Sequence, residues 1–327
     1  MEAHPTTGHG PIDGSPAGEA VTVTTGARLH FGFLDPSGRG PRPFGSLGLA
    51  LEWPRTTLRL RRAETFTAEG PERERALIYL KRFAAASGEA YALHIEEAIP
   101  PHAGLGSGTQ LALAVGAALT TLEERPHDFN AIATAADRGK RSGIGIGTFA
   151  QGGVVLDSGP GAGALPTMLD RRPFPPHWRV LLMFDPAASG LHGASETAAF
   201  AALPDFPHFK TKELRRRVLL EALPALAEQD FQSFAAAIGA LQAEMGAYYA
   251  PLQGGPYVSP QVARVLHWLA SLGLTGIGQS SWGPTGFAFI ASEEQGRALL
   301  TEARAQFAQL DFHLVEGRNE GAGIARH

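Results

Sequence analysis

Gly104-Leu105-Gly106-Ser107-Gly108-Thr109 sets three glycines and two hydroxyl residues where a strand-like stretch, Tyr91–Ile95, gives way to an apolar run, Gln110–Leu122. Glycines at the start of a helix let backbone N–H groups turn toward a ligand, and the helix N-terminus adds partial positive charge. The chemistry this suits is binding of a phosphate or pyrophosphate. The alternative is a turn that needs glycine only for its own geometry. No Lys-Ser/Thr pair follows the last glycine, as a Walker A loop requires. No acidic residue closes a following strand, as a dinucleotide fingerprint requires.

Arg28 and His30 stand two residues apart on a strand and so share a face. Asp35 follows and precedes Pro36. All three are candidates for contacting substrate. The competing readings are a solvated strand residue for Arg28, a satisfied core histidine for His30 and a turn-forming aspartate for Asp35. Lys140, Arg141 and Ser142 lie in a second glycine-rich segment, Gly139–Gly147, and Gln279, Ser280, Ser281 and Trp282 in a third, Thr275–Gly286. The last four read either as a ligand pocket or as a packed glycine turn. Val154–Gly161 reads as a strand ending in a turn, Arg215-Arg216-Arg217 as the solvated face of a helix, and His4 and His9 as bystanders in a tail.

These segments need elements to hold them. Strands are expected over Val21–Leu34, Gly45–Leu51, Thr56–Arg61, Tyr91–Ile95, Gly153–Asp157, Trp178–Phe184, Phe287–Ile290 and Asp311–Val315. Helices are expected over Arg73–Ser87, Gln110–Leu122, Asn130–Lys140, Gln261–Leu272 and Glu293–Leu310. Two more are expected within Glu213–Tyr248, broken near Pro224. The order suggests an α+β protein of two halves sharing a cleft. Residues 1–20 read as a disordered leader, 21–175 as an N-terminal domain with the phosphate loop, and 176–327 as a C-terminal domain.

The 327 residues carry 28 Lys and Arg against 32 Asp and Glu, a net charge of −4 with no basic stripe, so no nucleic acid or membrane surface is expected as a partner. There is no cysteine, which excludes disulfides, thiolate metal sites and a cysteine nucleophile. The absence fits a cytoplasmic protein. No stretch is long and apolar enough to span a bilayer.

Pro-x-x-x-Gly-Leu-Gly-Ser-Gly-Thr resembles the phosphate loop of the GHMP kinase superfamily. Arg28–Asp35, Arg141-Ser142-Gly143 and Gly278–Gly286 resemble three further motifs of that superfamily, in order. The resemblance implies a GHMP kinase-like two-domain fold, with a ribosomal protein S5 domain 2-like N-terminal part and a ferredoxin-like C-terminal part. Two positions depart from it. Gly145 stands where many of these kinases have a catalytic aspartate, and Phe33 where they have a glutamate. Deprotonating an alcohol for attack on a γ-phosphate then lacks its usual agent.

A narrower resemblance covers the departures. Thr25–Asp35 with Gly45–Leu51, Arg138–Gly153 and Ser280–Gly286 resemble the β-ribofuranosylaminobenzene 5'-phosphate synthase family. That family joins 5-phosphoribosyl 1-pyrophosphate to 4-aminobenzoate or 4-hydroxybenzoate and releases pyrophosphate and CO2, an early step of tetrahydromethanopterin synthesis. The resemblance implies that Gly104–Thr109, Lys140, Arg141 and Ser142 bind phosphate or pyrophosphate. It implies that His30 handles the proton of the para substituent, that Asp35 serves Mg²⁺ or acid–base work, and that Arg28, Gln279, Ser280, Ser281 and Trp282 contact substrate, Trp282 by stacking. Mg²⁺ is the expected cofactor and a homodimer the expected assembly. An ATP-dependent small-molecule kinase and a non-catalytic phosphate-ligand binding protein are the alternatives.

Overall fold

A computed structural model describes residues 19–38, 42–161, 165–190 and 203–327. His4, His9 and nearly all of the expected leader lie outside the described residues. Ala20 does not belong to that leader, because it opens the first strand.

Two long strands, β1 (Ala20–Asp35) and β2 (Phe44–Ala63), form an antiparallel ribbon around which the first half is built. The sequence suggests two separate strands here, Gly45–Leu51 and Thr56–Arg61, and Pro54 between them has no N–H to give to a ladder. The chain instead stays extended. Arg55 pairs with Gly26 and Ala50 with Arg28, so residues 51–54 bulge opposite Ala27 and the proline falls where β1 makes no pair. Beyond the bulge β2 changes neighbour: Thr57–Ala63 pair with β4 (Ala90–Glu97), and Ser46–Leu49 with β5 (Val154–Asp157). The short strands β3 (Thr67–Glu69) and β6 (Met168–Arg172) extend the sheet from β4 and β5.

Helices α1 (Arg73–Phe83), α2 (Ser107–Leu122), α3 (Phe129–Ala135) and α4 (Ile144–Gln151) accompany this sheet. The α2 sequence is apolar all round, and its residues are buried on every side, as such a composition demands. It begins at Ser107 rather than at Gln110, because Gly106 adopts a left-handed φ of 80° and turns the chain into the helix. The second glycine-rich segment is only partly a turn, since α4 starts inside it. Gly145 and Gly147 are packing glycines: an added methyl would lie 2.9 Å from Thr109 Cγ2 or 2.0 Å from Met168 Cε. The helix expected over Asn130–Lys140 stops at Ala135, just before Asp137 takes a positive φ.

The second half is a four-stranded antiparallel sheet in the order β10-β7-β9-β8 (Asp311–Val315, Arg179–Phe184, Gly286–Ile290, Ile277–Gln279). Its helices are α5 (His208–Arg217), α6 (Leu223–Glu228), α7 (Phe231–Gln253), α8 (Pro260–Ser271) and α9 (Glu293–Gln306). The strand order is that of a ferredoxin-like fold. Pro224 does not break the chain. It sits in the first turn of α6, behind a π-helical turn over Val218–Ala222, where a missing N–H costs little. The break comes at Gln229, which is left-handed, and Asp230 then caps α7 through Ser233 N at 3.1 Å.

One core cluster crosses both halves, joining Leu29, Phe31 and Leu49 to Phe234, Phe287 and Phe289. The chain end also crosses back. β11 (Gly323–Arg326) pairs with Val21–Thr24 of β1, so the last strand belongs to the first sheet and not to a C-terminal unit running to residue 327. No helix among the described residues is long and apolar enough to cross a membrane.

Candidate active site

The first and third glycine-rich segments meet backbone to backbone. A methyl on Gly104 would lie 2.2 Å from Ser280 O, and one on Gly283 would lie 2.2 Å from both Ala103 O and Gly104 N. Only glycine permits this approach. Ser280 ties the junction: its Oγ donates to Gly104 O at 2.8 Å and accepts from His30 N at 3.1 Å, while Ser281 N donates to His30 O at 3.2 Å. The centre of β1 is thereby fixed against both turns.

Arg28 leaves β1 for the phosphate loop. Its guanidinium donates to Gly104 O, its N–H donates to Leu105 O at 3.0 Å, and its Cγ would lie 2.9 Å from a methyl on Gly106. Across the loop a second arginine stands against Gly108, Arg138, whose Nη2 would lie 2.9 Å from a methyl there. Tyr79 OH holds that guanidinium in place from α1. Cations thus flank Gly104–Thr109 on both sides, at the N-terminus of α2. Of the two, the sequence pattern singles out Arg28. The signal for Arg138 is present in the chain, an arginine opening the block that contains Lys140 and Arg141, but nothing in its spacing says that it folds back onto the loop.

His30 is 3% exposed, and both its ring nitrogens lack a hydrogen-bond partner among the described residues. Burial, then the charges of Arg28 and Arg141, hold its pKa well below the ordinary histidine value. It is therefore a neutral imidazole near pH 7, with one donor and one acceptor on offer. It faces a narrow cleft lined by Gly32, Phe33, Met245, Tyr249 and Trp282, with room for about 20 Å³, one water's worth. Arg141 acts on His30 through its charge.

Other candidates lie elsewhere. Lys140 is turned outward, its side chain 69% exposed and paired with Asp137 at 2.6 Å. Ser142 belongs to a buried polar cluster around Asp157, which the sequence pattern reads only as the end of a strand. Asp157 Oδ2 accepts from Ser46 Oγ (2.6 Å) and Gly143 N (2.8 Å), and Oδ1 from Gly159 N (2.7 Å). Burial raises its pKa, against the pull of those hydrogen bonds. Asp35 lies five residues beyond His30 at the end of β1, and the structure does not bring the two together. Its carboxylate accepts from Ser37 Oγ at 2.7 Å and pairs with Arg215 at 3.4 Å. Arg215 therefore is not part of a purely solvated arginine face, unlike Arg216 and Arg217, which pair with Glu213 and Glu221 on their own helical stretch.

The third segment is a packed turn. Gln279 is spent on Val258 N (2.6 Å), Gln242 Oε1 (2.8 Å) and Ser281 O (3.0 Å). Trp282 is 3% exposed and packs edge-on against Tyr249, with ring centroids 4.8 Å apart. In this arrangement its ring has no open face on which a ligand could stack. Among the described residues no three acidic or histidine side chains gather where they could hold a metal ion.

Residues 74–153 match the family model for the GHMP kinases N terminal domain, and residues 222–309 the model for GHMP kinases C terminal. Homoserine kinase from Cytophaga hutchinsonii shares the fold, with a TM-score of 0.68 at 15% identity over 96% of this chain and all of that one. Mevalonate diphosphate decarboxylase from Staphylococcus aureus shares it too, with a TM-score of 0.65 at 15% identity over 94% of this chain and 98% of that one. In sequence, the chain is 31% identical to a beta-ribofuranosylphenol 5'-phosphate synthase of Archaeoglobus fulgidus, over 93% of this chain and 99% of the relative. It is 25% identical to one of Methanothermobacter thermautotrophicus, over 92% and 98%. With the phosphate loop, the two strand motifs and the Gly145 departure all in place on a GHMP scaffold, the chain belongs to the beta-ribofuranosylphenol 5'-phosphate synthase family.

Proposed function

We propose that this protein is a decarboxylating phosphoribosyltransferase that joins 5-phosphoribosyl 1-pyrophosphate to 4-hydroxybenzoate, with CO2 and pyrophosphate as the other products. The hydroxy acid is chosen over 4-aminobenzoate because the relatives are named for a phenol product. The observation that carries the reading is the contact between Thr109 and Gly145. An aspartate at 145 would put its Cβ 2.9 Å from Thr109 Cγ2, so the phosphate loop is built against a position that holds no base. Attack of an alcohol on a γ-phosphate loses its usual base at that position, whereas displacement of pyrophosphate from ribose C1 calls for none there.

In this reading Gly104–Thr109 and the start of α2 receive the pyrophosphate, and Arg28 and Arg138 offset its charge as it departs. His30, neutral and without a hydrogen-bond partner among the described residues, offers its donor and acceptor to a ribose hydroxyl. Its low proton affinity suits it to holding a hydroxyl rather than to taking a proton from the para substituent, since a base works best with a pKa near the working pH. The C1–O bond to pyrophosphate breaks with its electrons on the leaving group. The ring carbon bearing the carboxylate bonds to the sugar carbon, and the bond to the carboxylate breaks, returning its electron pair to the ring as CO2 leaves. Magnesium would arrive on the donor's pyrophosphate. The experiment is to supply donor and 4-hydroxybenzoate without ATP and measure pyrophosphate. Its release only when both are present supports the reading. ADP formed from ATP and an alcohol acceptor, with no pyrophosphate release, would sink it.

A further inference from the structure

The acceptor acid still needs a place. The cleft beside His30 has room for one water, not for a benzene ring, and the turn at Gln279–Trp282 is occupied by its own bonds. A much larger cavity, about 380 Å³, opens at the far end of the β1–β2 ribbon. Its walls are Leu34, Phe44, Leu156, Leu169 and Leu219, and the guanidinium groups of Arg42 and Arg215 stand beside them. Leu169 and Leu219 are 60% and 52% exposed, so this apolar lining faces outward with nothing described upon it.

Both arginines have donors to spare. Arg42 gives one hydrogen bond, to Ser158 Oγ at 3.3 Å, and Arg215 one, to Asp35 Oδ2 at 3.4 Å, among the described residues. A guanidinium carries five N–H donors in a planar fork that matches a carboxylate. An apolar slot beside two such groups fits a flat apolar body with one negative charge. The cavity is also connected to the phosphate loop by a short run of contacts. Asp157 lines it and accepts from Gly143 N at 2.8 Å, and two residues further on Gly145 packs against Thr109. The wall of the cavity and the phosphate loop are therefore linked through one short segment, residues 143–145.

We infer that this cavity is the binding site for a monocyclic aryl carboxylate, with the ring between Phe44 and Leu219 and the carboxylate at Arg215 and Arg42. This inference rests on the proposed transferase reading and gives its acceptor a location. Asp35 becomes a positioning residue that aims Arg215. It also tempers it: a guanidinium already shared with a carboxylate grips the acceptor's carboxylate less firmly than a free one. That suits a group that must leave as CO2.

The test uses benzoate and 4-hydroxybenzoate as probes, by titration calorimetry and steady-state kinetics on the full chain. Leu219→Trp fills the slot from an exposed position that the fold tolerates, and Arg215→Gln removes a charge. Each is expected to weaken benzoate binding by about tenfold or more, the worth of a charge-assisted hydrogen bond or a blocked ring site. Each should raise the KM for 4-hydroxybenzoate similarly while the KM for 5-phosphoribosyl 1-pyrophosphate stays within about twofold. Unchanged benzoate binding in both variants, no benzoate binding by the unaltered protein, or a rise in the donor's KM instead would overturn the assignment. Benzoate binding that both variants abolish, in a protein that turns over neither probe, would uphold the cavity and refute the reaction.

Discussion

Thr109 and Gly145 together carry more information than either alone. The chain shows that an aspartate is missing at 145; only the fold shows that Thr109 occupies the space its side chain would need. Gly145→Asp should therefore lower phosphoribosyl transfer by about tenfold or more, through a displaced loop, and confer no kinase activity. Adding Thr109→Ser, which removes the methyl in the way, should restore part of the loss; a double variant no better than the single would contradict this account. His30 makes a separate prediction. Its folded pKa lies below the unfolded value of 6.5, so the unfolded chain binds the extra proton. Stability should be independent of this group above about pH 6.5 and fall as pH drops below it, toward the folded pKa. Urea unfolding at pH 5 and pH 7 should show a smaller difference for His30→Phe, which keeps a ring and cannot titrate; an unchanged difference would refute it. The residue types at 28 and 30 were readable as a pair on one strand face. The isolation of the imidazole was not, because it depends on burial, on the ring of Phe33 and on the charges of Arg28 and of Arg141, which is distant along the chain. Nor could spacing separate Lys140, which turns to solvent, from Arg138, which turns to the loop.

At the scale of elements, Asp157 joins the start of α4 to the end of β5. Removing it leaves the buried N–H groups of Gly143 and Gly159 without acceptors. Asp157→Ala should cost about 3 kcal/mol, from about 1–3 kcal/mol for each stranded group, read as a lowered urea midpoint. A loss under about 0.5 kcal/mol would show that water replaces the carboxylate. Most strands and helices were legible from apolar periodicity, which is why β1, α2 and β10 stand within a few residues of expectation. The errors share a cause. Glycine and proline mark turns in a sequence, yet Gly145 and Gly147 lie inside a helix for want of space, and Pro224 sits where a helix accepts it. The short strands β3 (Thr-Ala-Glu), β6 (Met-Leu-Asp-Arg-Arg) and β11 (Gly-Ile-Ala-Arg) lack the apolar run that marks β5 and β9, and each pairs along one neighbouring strand.

At the scale of the molecule, two sheets are joined by a core that crosses between them and by a glycine-to-glycine contact at the candidate site. Gly283→Ala would drive a methyl into Ala103 O and Gly104 N, so it should destabilise by about 3 kcal/mol and weaken pyrophosphate binding together. If calorimetry shows full pyrophosphate affinity in a folded Gly283→Ala protein, the junction does not shape the loop. The fold class was legible because four motifs occur in one order along the chain. The return of β11 to the first sheet was not, since no local pattern records which sheet a terminal strand will join. In the proposed reaction this scaffold makes a carbon–carbon bond at ribose C1 and breaks one to CO2. The most direct measurement is carbon-13 NMR of the protein turning over 5-phosphoribosyl 1-pyrophosphate with 4-hydroxybenzoate labelled at its carboxyl carbon, without ATP. The label should appear as CO2 and bicarbonate, one for each ribosylated phenol formed. Label retained on the ring of a ribosylated product, or no product at all unless ATP is supplied, would contradict it.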